Sequence, residues 1–223
     1  AIAGGAVLLF VRRGPLSPKP LAAGTSRLAP LRTWHFWSIS APFALMLVSQ
    51  VGFLTHLVPL ISARVAAGAP AVDPGLAVGI NAFMALVGRV VLGFVIDRFE
   101  PRRASVACFM VQVAAIAVLA FAEAPLVVYG ACAVYGFSVG NNITLSPLIV
   151  QREYGPDQFP AIVALSSAVV QVVYAFGPGL LGILRDASGG YGVPLAVCMA
   201  LNVTAAILVM MPPRSARTRP AGT

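Results

Sequence analysis

Six long stretches of this chain are almost free of Asp, Glu, Lys and Arg, and no other feature of the sequence constrains its fold as strongly. About 20 predominantly apolar residues allow a helix to cross the roughly 30 Å hydrocarbon core of a bilayer. Each stretch is long enough, and none shows the alternating pattern of a transmembrane β-barrel strand. With 59% hydrophobic and 10% charged residues, the chain also differs from a soluble domain. We therefore predict an all-α membrane protein, a bundle of six transmembrane helices over residues 33–63, 74–96, 104–122, 124–150, 159–184 and 192–213.

The remaining residues predict three flanking segments. Residues 1–11 are apolar from the first position, but at about 1.5 Å per residue they cover only half a membrane. We expect them to be the end of a preceding transmembrane helix, in a chain that lacks part of its upstream sequence. Residues 12–32 contain four prolines, which is typical of a flexible connecting loop and here indicates a cytoplasmic one. The bundle then occupies 33–213, and 214–223 form a cytoplasmic tail.

The basic residues predict which side of the membrane each loop occupies, because loops rich in Lys and Arg stay in the cytoplasm. Twelve of the fifteen Lys and Arg residues lie in the loop before the first span, in the turns after the second and fourth spans, and in the tail. We therefore expect an integral protein of the plasma (inner) membrane with its C-terminus in the cytoplasm. The net charge of +8 follows from this topology, so the lipid bilayer is an expected partner and nucleic acid is not.

The sequence does not favour an enzyme. The stretch "GFSVG", residues 136–140, matches the G-x-S-x-G of serine hydrolases, but that motif requires a strained turn between a strand and a helix. Here it lies in the middle of a span, where Gly136 and Gly140 have the spacing that lets membrane helices approach closely. The three cysteines lie in separate spans, unlike a zinc motif. We expect no catalytic site, no metal and no cofactor.

Charge returns abruptly where the second span ends. The sequence there resembles the G-x-x-x-D-R-x-x-R-R type signature at the tight cytoplasmic turns of the major facilitator superfamily. The residues that carry the resemblance are Gly93, Asp97, Arg98, Arg102 and Arg103.

A second stretch carries the same resemblance. It is similar to the eleventh-helix region of the monocarboxylate and oxalate/formate branches of that superfamily. The stretch consists of residues 176–182, "FGPGLLG", and residues 182–197, "GILRDASGGYGVPLAV". The number of spans, the basic loop in front and the predicted cytoplasmic tail agree with the C-terminal half of its twelve-helix fold. One departure is that Glu100 and Pro101 stand where family members often carry Gly after D-R-[FY].

The resemblance implies a secondary active transporter in which two six-helix bundles rock around a central site, with the N-terminal half upstream of this chain. It also implies that Asp97 and Arg98 form part of a cytoplasmic gating latch between the bundles, with Gly93, Arg102 and Arg103. A carboxylate at the C-terminal end of its own helix is unfavourable unless it pairs elsewhere. The alternative is that these charges only anchor the helix ends.

Arg89 lies eight residues before Asp97, about 12 Å deeper at 1.5 Å per residue. An ionisable residue at such depth usually faces a polar cavity and a partner. The resemblance implies that it binds the carboxylate of a substrate, for which a guanidinium is a planar, bidentate partner. The alternative is a structural salt bridge to an acidic residue in the upstream half. The oxalate branch adds a lysine in its eleventh helix, and this chain has none beyond Lys19, which favours a small organic monoanion, a monocarboxylate, over a dianion.

Other polar side chains recur at helical spacing within the spans. Five of them are candidates for the wall of a substrate cavity: Asn81, Asn141, Asn142, Gln171 and Tyr174. Hydrogen bonds between packed helices would explain the presence of each residue equally well.

His56, deep in the first span, is the candidate for proton coupling, because its pKa range suits a proton carrier; a packing histidine is the alternative. The coupling partner would be a proton or a counter-anion, in a symporter or an antiporter. Two other functions fit the same fold: efflux of drug-like or amphipathic compounds with a structural Arg89, and a non-transporting sensor.

Overall fold

The structure is a computed structural model that describes residues 29–211. This range is α-helical and contains no strand, which confirms the all-α prediction. The expectations for residues 1–11 and 214–223, and for most of the loop 12–32, lie outside the described residues. The helices are α1 (Trp34–Ala66), α2 (Pro74–Val95), α3 (Pro101–Phe121), α4 (Pro125–Tyr174), α5 (Gly177–Ser188) and α6 (Gly192–Met210), with short 3-10 turns at Ala29–Arg32 and Ile96–Arg98.

Among residues 29–211, five helical stretches are long and apolar enough to cross a membrane, and one of them is long enough to cross it twice. They are Trp34–Ala66, Pro74–Phe94, Pro101–Phe121, Pro125–Ser188 and Gly192–Met210. The stretch Pro125–Ser188 has 64 residues, and its contacts with α1 show where the chain turns back.

The first arm of α4, residues 125–154, runs antiparallel to α1. Asn142 donates a hydrogen bond to Gln50, in the middle of α1. Glu153, eleven residues later, contacts His35 near the start of α1, with 2.6 Å between Oε2 and Nε2. Moving forward along this arm therefore means moving backward along α1.

Beyond Gly155 the direction is reversed. Ser40 donates to Ser166 at 2.9 Å, and Gly177 packs on Gly52, so the second arm of α4, 156–174, runs parallel to α1. Gly155 itself has φ 73° and ψ 171°, a backbone conformation that essentially only glycine adopts. The chain thus turns back within α4, and six helical passes make up the bundle.

This arrangement corrects the predicted bounds of the fourth and fifth spans. The prediction left residues 151–158 between them, whereas helix continues on both sides of Gly155. The predicted fifth span, 159–184, is instead interrupted after Tyr174. Pro178 has no N–H to donate to the carbonyl four residues earlier, so the α-helical ladder breaks there and α5 begins as a separate helix.

The turn between α2 and α3 explains the departure from the superfamily pattern. Glu100 is the N-cap of α3, and its carboxylate accepts hydrogen bonds from the backbone N–H groups of Arg102 and Arg103, both at 3.2 Å. Pro101 occupies the start of the helix, where its fixed φ is favourable and a missing N–H costs nothing. The two residues form a helix start in place of a glycine turn.

Arg102 holds one end of the bundle together. Its side chain is nearly buried and forms a bidentate pair with Glu153, with Nε–Oε1 2.6 Å and Nη2–Oε2 2.9 Å. Nη1 donates to the carbonyl of Val209 at 2.6 Å, and Nη2 donates to Ser38 Oγ at 3.2 Å. We call this set the Arg102 clamp. It joins α3 to α4, α6 and α1, and it marks the Arg102 end of the bundle; the opposite end, where α1 finishes, is called the Arg64 end.

Three glycines bring α2 against the first arm of α4. A Cβ added at Gly88 would collide with the backbone of Phe137, and Cβ atoms added at Gly136 and Gly140 would collide with the backbone of α2. We call Gly88, Gly136 and Gly140 the glycine seam. Small residues at such contacts let membrane helices gain close packing without a hydrophobic driving force.

Replacing Arg102 by Gln should destabilise the protein by about 3 kcal/mol, because Glu153 would remain partly buried with only its His35 contact. The matched control is Arg103→Gln, since Arg103 is the next residue, is exposed and forms only a 3.7 Å contact with Glu100. We expect the melting temperature of the purified protein in detergent to fall for Arg102→Gln only. Equal melting temperatures for the two variants would contradict the clamp.

Replacing Gly88 by Ala should cost about 1–3 kcal/mol, because the rigid backbone of Phe137 cannot yield to the new methyl group. Gly79→Ala, on the same helix, has open space around the added Cβ and should be neutral or slightly stabilising. Thermal unfolding of both variants measures the difference. If Gly88→Ala proved as stable as Gly79→Ala, α2 and α4 would not be in this close contact.

Candidate functional site

Three buried amides from different helices meet in the middle of the bundle. Gln50 of α1 accepts hydrogen bonds at Oε1 from Gln112 Nε2 of α3, at 3.1 Å, and from Asn142 Nδ2 of α4, at 3.2 Å. All three side chains are at least 96% buried. We call them the amide layer. Sequence reasoning missed Gln50 and Gln112, although an amide alone in an apolar span is itself a signal, because it must find a partner on another helix.

A second set of buried polar contacts continues this layer to α6. Asn202 Nδ2 donates to Ser49 Oγ at 2.8 Å and to the carbonyl of Cys198 at 2.9 Å. Ser49 donates to the same carbonyl at 3.1 Å. Since Ser49 and Gln50 are neighbours on α1, this helix connects the polar contacts of α3, α4 and α6 at one height.

Arg89 lies beside the glycine seam with its side chain exposed. Its Nε donates one long hydrogen bond, 3.4 Å, to the carbonyl of Gly140. Within residues 29–211, neither Nη atom has a hydrogen-bond partner and no acidic side chain pairs with the guanidinium. Arg89 stands six residues before the end of α2, about 9 Å along the helix. A permanent positive charge is therefore presented, largely unpaired, on the surface of a membrane span.

The predicted asparagines lie inside the bundle. Asn81 is buried and donates to the carbonyl of Cys132 at 3.3 Å, which links α2 to α4. Asn142 belongs to the amide layer, and Asn141 is 5% exposed. The hydrogen bonds of Asn81 and Asn142 fit the alternative left open by the sequence, contacts between packed helices, and all three asparagines are buried rather than exposed beside Arg89.

Gln171 and Tyr174 lie on the second arm of α4. Gln171 is exposed and Tyr174 is half-buried. Since Ser166 contacts Ser40 and Gly177 packs on Val48, both residues lie near the middle of α1, as the amide layer does. In the described part of the chain, no hydrogen bond joins either of them to Arg89.

His56 contacts the start of α5. Its Nε2 lies 3.1 Å from the carbonyl oxygen of Pro178, and because a carbonyl only accepts, Nε2 carries the proton of this bond. Nδ1 is buried and has no partner among residues 29–211. The ring thus joins α1 to the break between α4 and α5.

The predicted gating residues separate into two environments. Arg102 is buried in the clamp, whereas Arg98 and Arg103 are exposed at the same turn. Gly93 is exposed and has open space around it, and the backbone of Asp97 lies in the 3-10 turn Ile96–Arg98. Arg102 therefore holds this bundle together, whereas Arg98 and Arg103 present their charges to the surroundings.

Metal chemistry finds no support in the part of the chain that the structure describes. No three His, Cys, Asp or Glu side chains group there closely enough to hold a metal ion. The arrangement around Arg89 is instead suited to binding an anion, since an exposed guanidinium retains most of its donors.

A comparison with known proteins finds a relative that is named as a permease. The chain is 36% identical over 92 residues to a protein of Thauera aromatica named "Putative anionic 4-hydroxy-benzoate permease". The alignment covers 41% of this chain and 56% of that protein, so the chain spans about half the length of the relative that it matches.

The family comparison covers the whole chain. The profile of the Major Facilitator Superfamily matches residues 1–178 and, in a second alignment, residues 68–223. Together with the apolar helices of the bundle, these matches identify the chain as a member of the major facilitator superfamily and an integral, multi-pass membrane protein.

Proposed function

We propose that this protein is a secondary active transporter that moves a small organic anion, a monocarboxylate, across the membrane by alternating access, and that Arg89 binds the anion. The single observation that carries the proposal is the exposed guanidinium of Arg89, which meets only a 3.4 Å contact to Gly140 in the described chain. A membrane span rarely presents such a charge without a ligand or partner.

The charge chemistry supports an anion over a neutral substrate. A guanidinium stays protonated at any physiological pH and offers paired donors that match a carboxylate. At the surface of an apolar helix the local dielectric is lower than in water, so the attraction for an anion is stronger. A single arginine suits one carboxylate, and in this proposal Gln171 and Tyr174 are further polar contacts of the substrate.

The named relative supports an aromatic carboxylate as the first substrate to test. That protein is named for 4-hydroxybenzoate, which is a monoanion with an apolar ring. The exposed face of α2 offers apolar side chains on either side of Arg89, including Phe83 at 64% and Phe94 at 82% exposure. These side chains would face lipid, substrate or the second half of a transporter.

Alternating access requires a second bundle, which we place in an N-terminal six-helix half upstream. In this proposal the cytoplasmic latch is formed by Asp97 and Arg98 with Gly93, Arg102 and Arg103. These residues lie in the turn Ile96–Arg98 or at the adjoining ends of α2 and α3, and Arg102 also forms the clamp. The Arg102 end then faces the cytoplasm, in agreement with the distribution of basic residues. The membrane is the plasma (inner) membrane.

Proton coupling is assigned to His56 in this proposal. Its free Nδ1 lies beside the break between α4 and α5, where a change of charge can alter the helix contact through Pro178. The driving ion would then be a proton carried with the organic anion.

Replacing Arg89 by Gln should raise the half-saturating concentration for 4-hydroxybenzoate about 10- to 100-fold, because a charged hydrogen bond to the substrate is lost. Arg89→Lys should give an intermediate value, since it keeps the charge without the planar fork. Uptake of labelled substrate into proteoliposomes containing the complete protein measures both variants. Arg152→Gln, which removes an exposed charge near the Arg102 end, is the control and should transport normally.

Three outcomes distinguish the possible functions. Loss of uptake in folded Arg89→Gln alone supports the anion site. Equal uptake by wild type and Arg89→Gln would make Arg89 structural and place the substrate elsewhere. If wild type transports neither 4-hydroxybenzoate nor small aliphatic carboxylates, efflux of amphipathic compounds or sensing becomes the better explanation.

Replacing His56 by Gln should abolish the acceleration of uptake by an acid-outside pH gradient, while exchange of labelled for unlabelled substrate at equal pH continues. The reason is that the amide cannot carry a proton. His35→Gln, at the opposite end of α1, is the matched control and should keep the gradient response. An unchanged gradient response in His56→Gln would refute the coupling role.

A further inference from the structure

A groove at the Arg64 end lies outside the proposed transport site. It has a volume of about 490 Å³ and lies between the last turns of α1 and α3 and the first turns of α6. Leu60, Leu195 and Met199 form part of its apolar wall, while Arg64 and Tyr191 supply the polar groups. Arg89 is on α2, which contributes no residue to this groove.

Arg64 places a positive charge in the groove wall. Its guanidinium caps the end of α3 by donating to the carbonyls of Leu119, Ala120 at 3.1 Å and Ala122 at 3.4 Å. Its Nε–H has no acceptor among residues 29–211. The side chain is half-buried, so these contacts hold the positive charge at the groove. The Nε–H remains available as a hydrogen-bond donor.

The start of α6 adds a second positive feature. Tyr191 is its N-cap and provides no side-chain hydrogen bond, and the first turn contains no acidic residue. The N–H groups of this turn and the helix dipole therefore favour an anion beside Gly192, which lines the groove. Arg185 stacks over the Tyr191 ring, 5.2 Å from its centre, and is itself paired with Asp186 at 3.8 Å, so Arg64 is the cation that defines the groove.

We propose that this groove binds an anionic phospholipid, with the phosphate near Arg64 and the start of α6 and an acyl chain along its accessible apolar residues, Phe121, Ala196 and Met199. The groove lies at the ends of three membrane spans, which is the height of the lipid headgroups. A phospholipid combines the anion and the long apolar chain that these walls require. Basic pockets between transmembrane helices bind anionic headgroups by the same chemistry.

The test measures lipid binding directly on the delipidated, detergent-purified complete protein. Native mass spectrometry gives the affinities for phosphatidylglycerol and for phosphatidylcholine with the same acyl chains. Ala196→Trp fills the groove without changing its charge, since Ala196 is an exposed residue of its wall. Ala107→Trp adds the same bulk to an exposed site on α3 outside the groove.

We expect wild type and Ala107→Trp to bind phosphatidylglycerol about fivefold more tightly than phosphatidylcholine, as one basic residue at a lipid surface predicts. Ala196→Trp should weaken phosphatidylglycerol binding by a similar factor. Arg64→Gln, once size-exclusion chromatography has shown that the variant is folded, should bind phosphatidylglycerol and phosphatidylcholine with equal affinity. Unchanged binding to Ala196→Trp, or equal affinity of wild type for both lipids, would overturn the proposal.

Discussion

A bilayer provides little hydrophobic driving force between helices, and the rest of this bundle depends on what replaces it. Two kinds of contact do so. The glycine seam lets α2 approach the first arm of α4 until the backbones touch. Polar side chains supply the other contacts, in the amide layer and in the Arg102 clamp. Both kinds join separate helices, and α1, α3 and α4 each take part in both polar sets.

Two arginines on successive helices, one exposed and one buried, show how the surroundings decide what a charge does. Arg102 has a carboxylate, a hydroxyl and a carbonyl as partners from three other helices, so its charge serves to fix their positions. Arg89 has one long contact, so its charge is available to a mobile partner. The sequence motif grouped Arg102 with exposed residues of the turn, and only the packing of α3 against α4 and α6 separates it from them.

The number of passes and the helical class could be predicted because hydropathy and length are properties of the chain alone. The ends of the fourth and fifth spans near Gly155 could not be predicted in this way, because a positive φ inside a helical pattern does not change the hydropathy. Gln50 and Gln112 were missed for a related reason: a single amide looks isolated until the fold brings its partner to it. Periodicity likewise places Asn81 on a helix face without saying what that face contacts, and only the structure shows its hydrogen bond to Cys132.

The reversal at Gly155 also sets how the chain can vary in length. Helix continues on both sides of this residue, so no loop separates the two arms of α4. One inserted residue would rotate the second arm by about 100° around its axis, at 3.6 residues per turn. Ser166 would leave Ser40, and Gln171 would turn to another side of the bundle. Insertions can be absorbed between α1 and α2, where no helical register crosses the gap, but not at this hairpin.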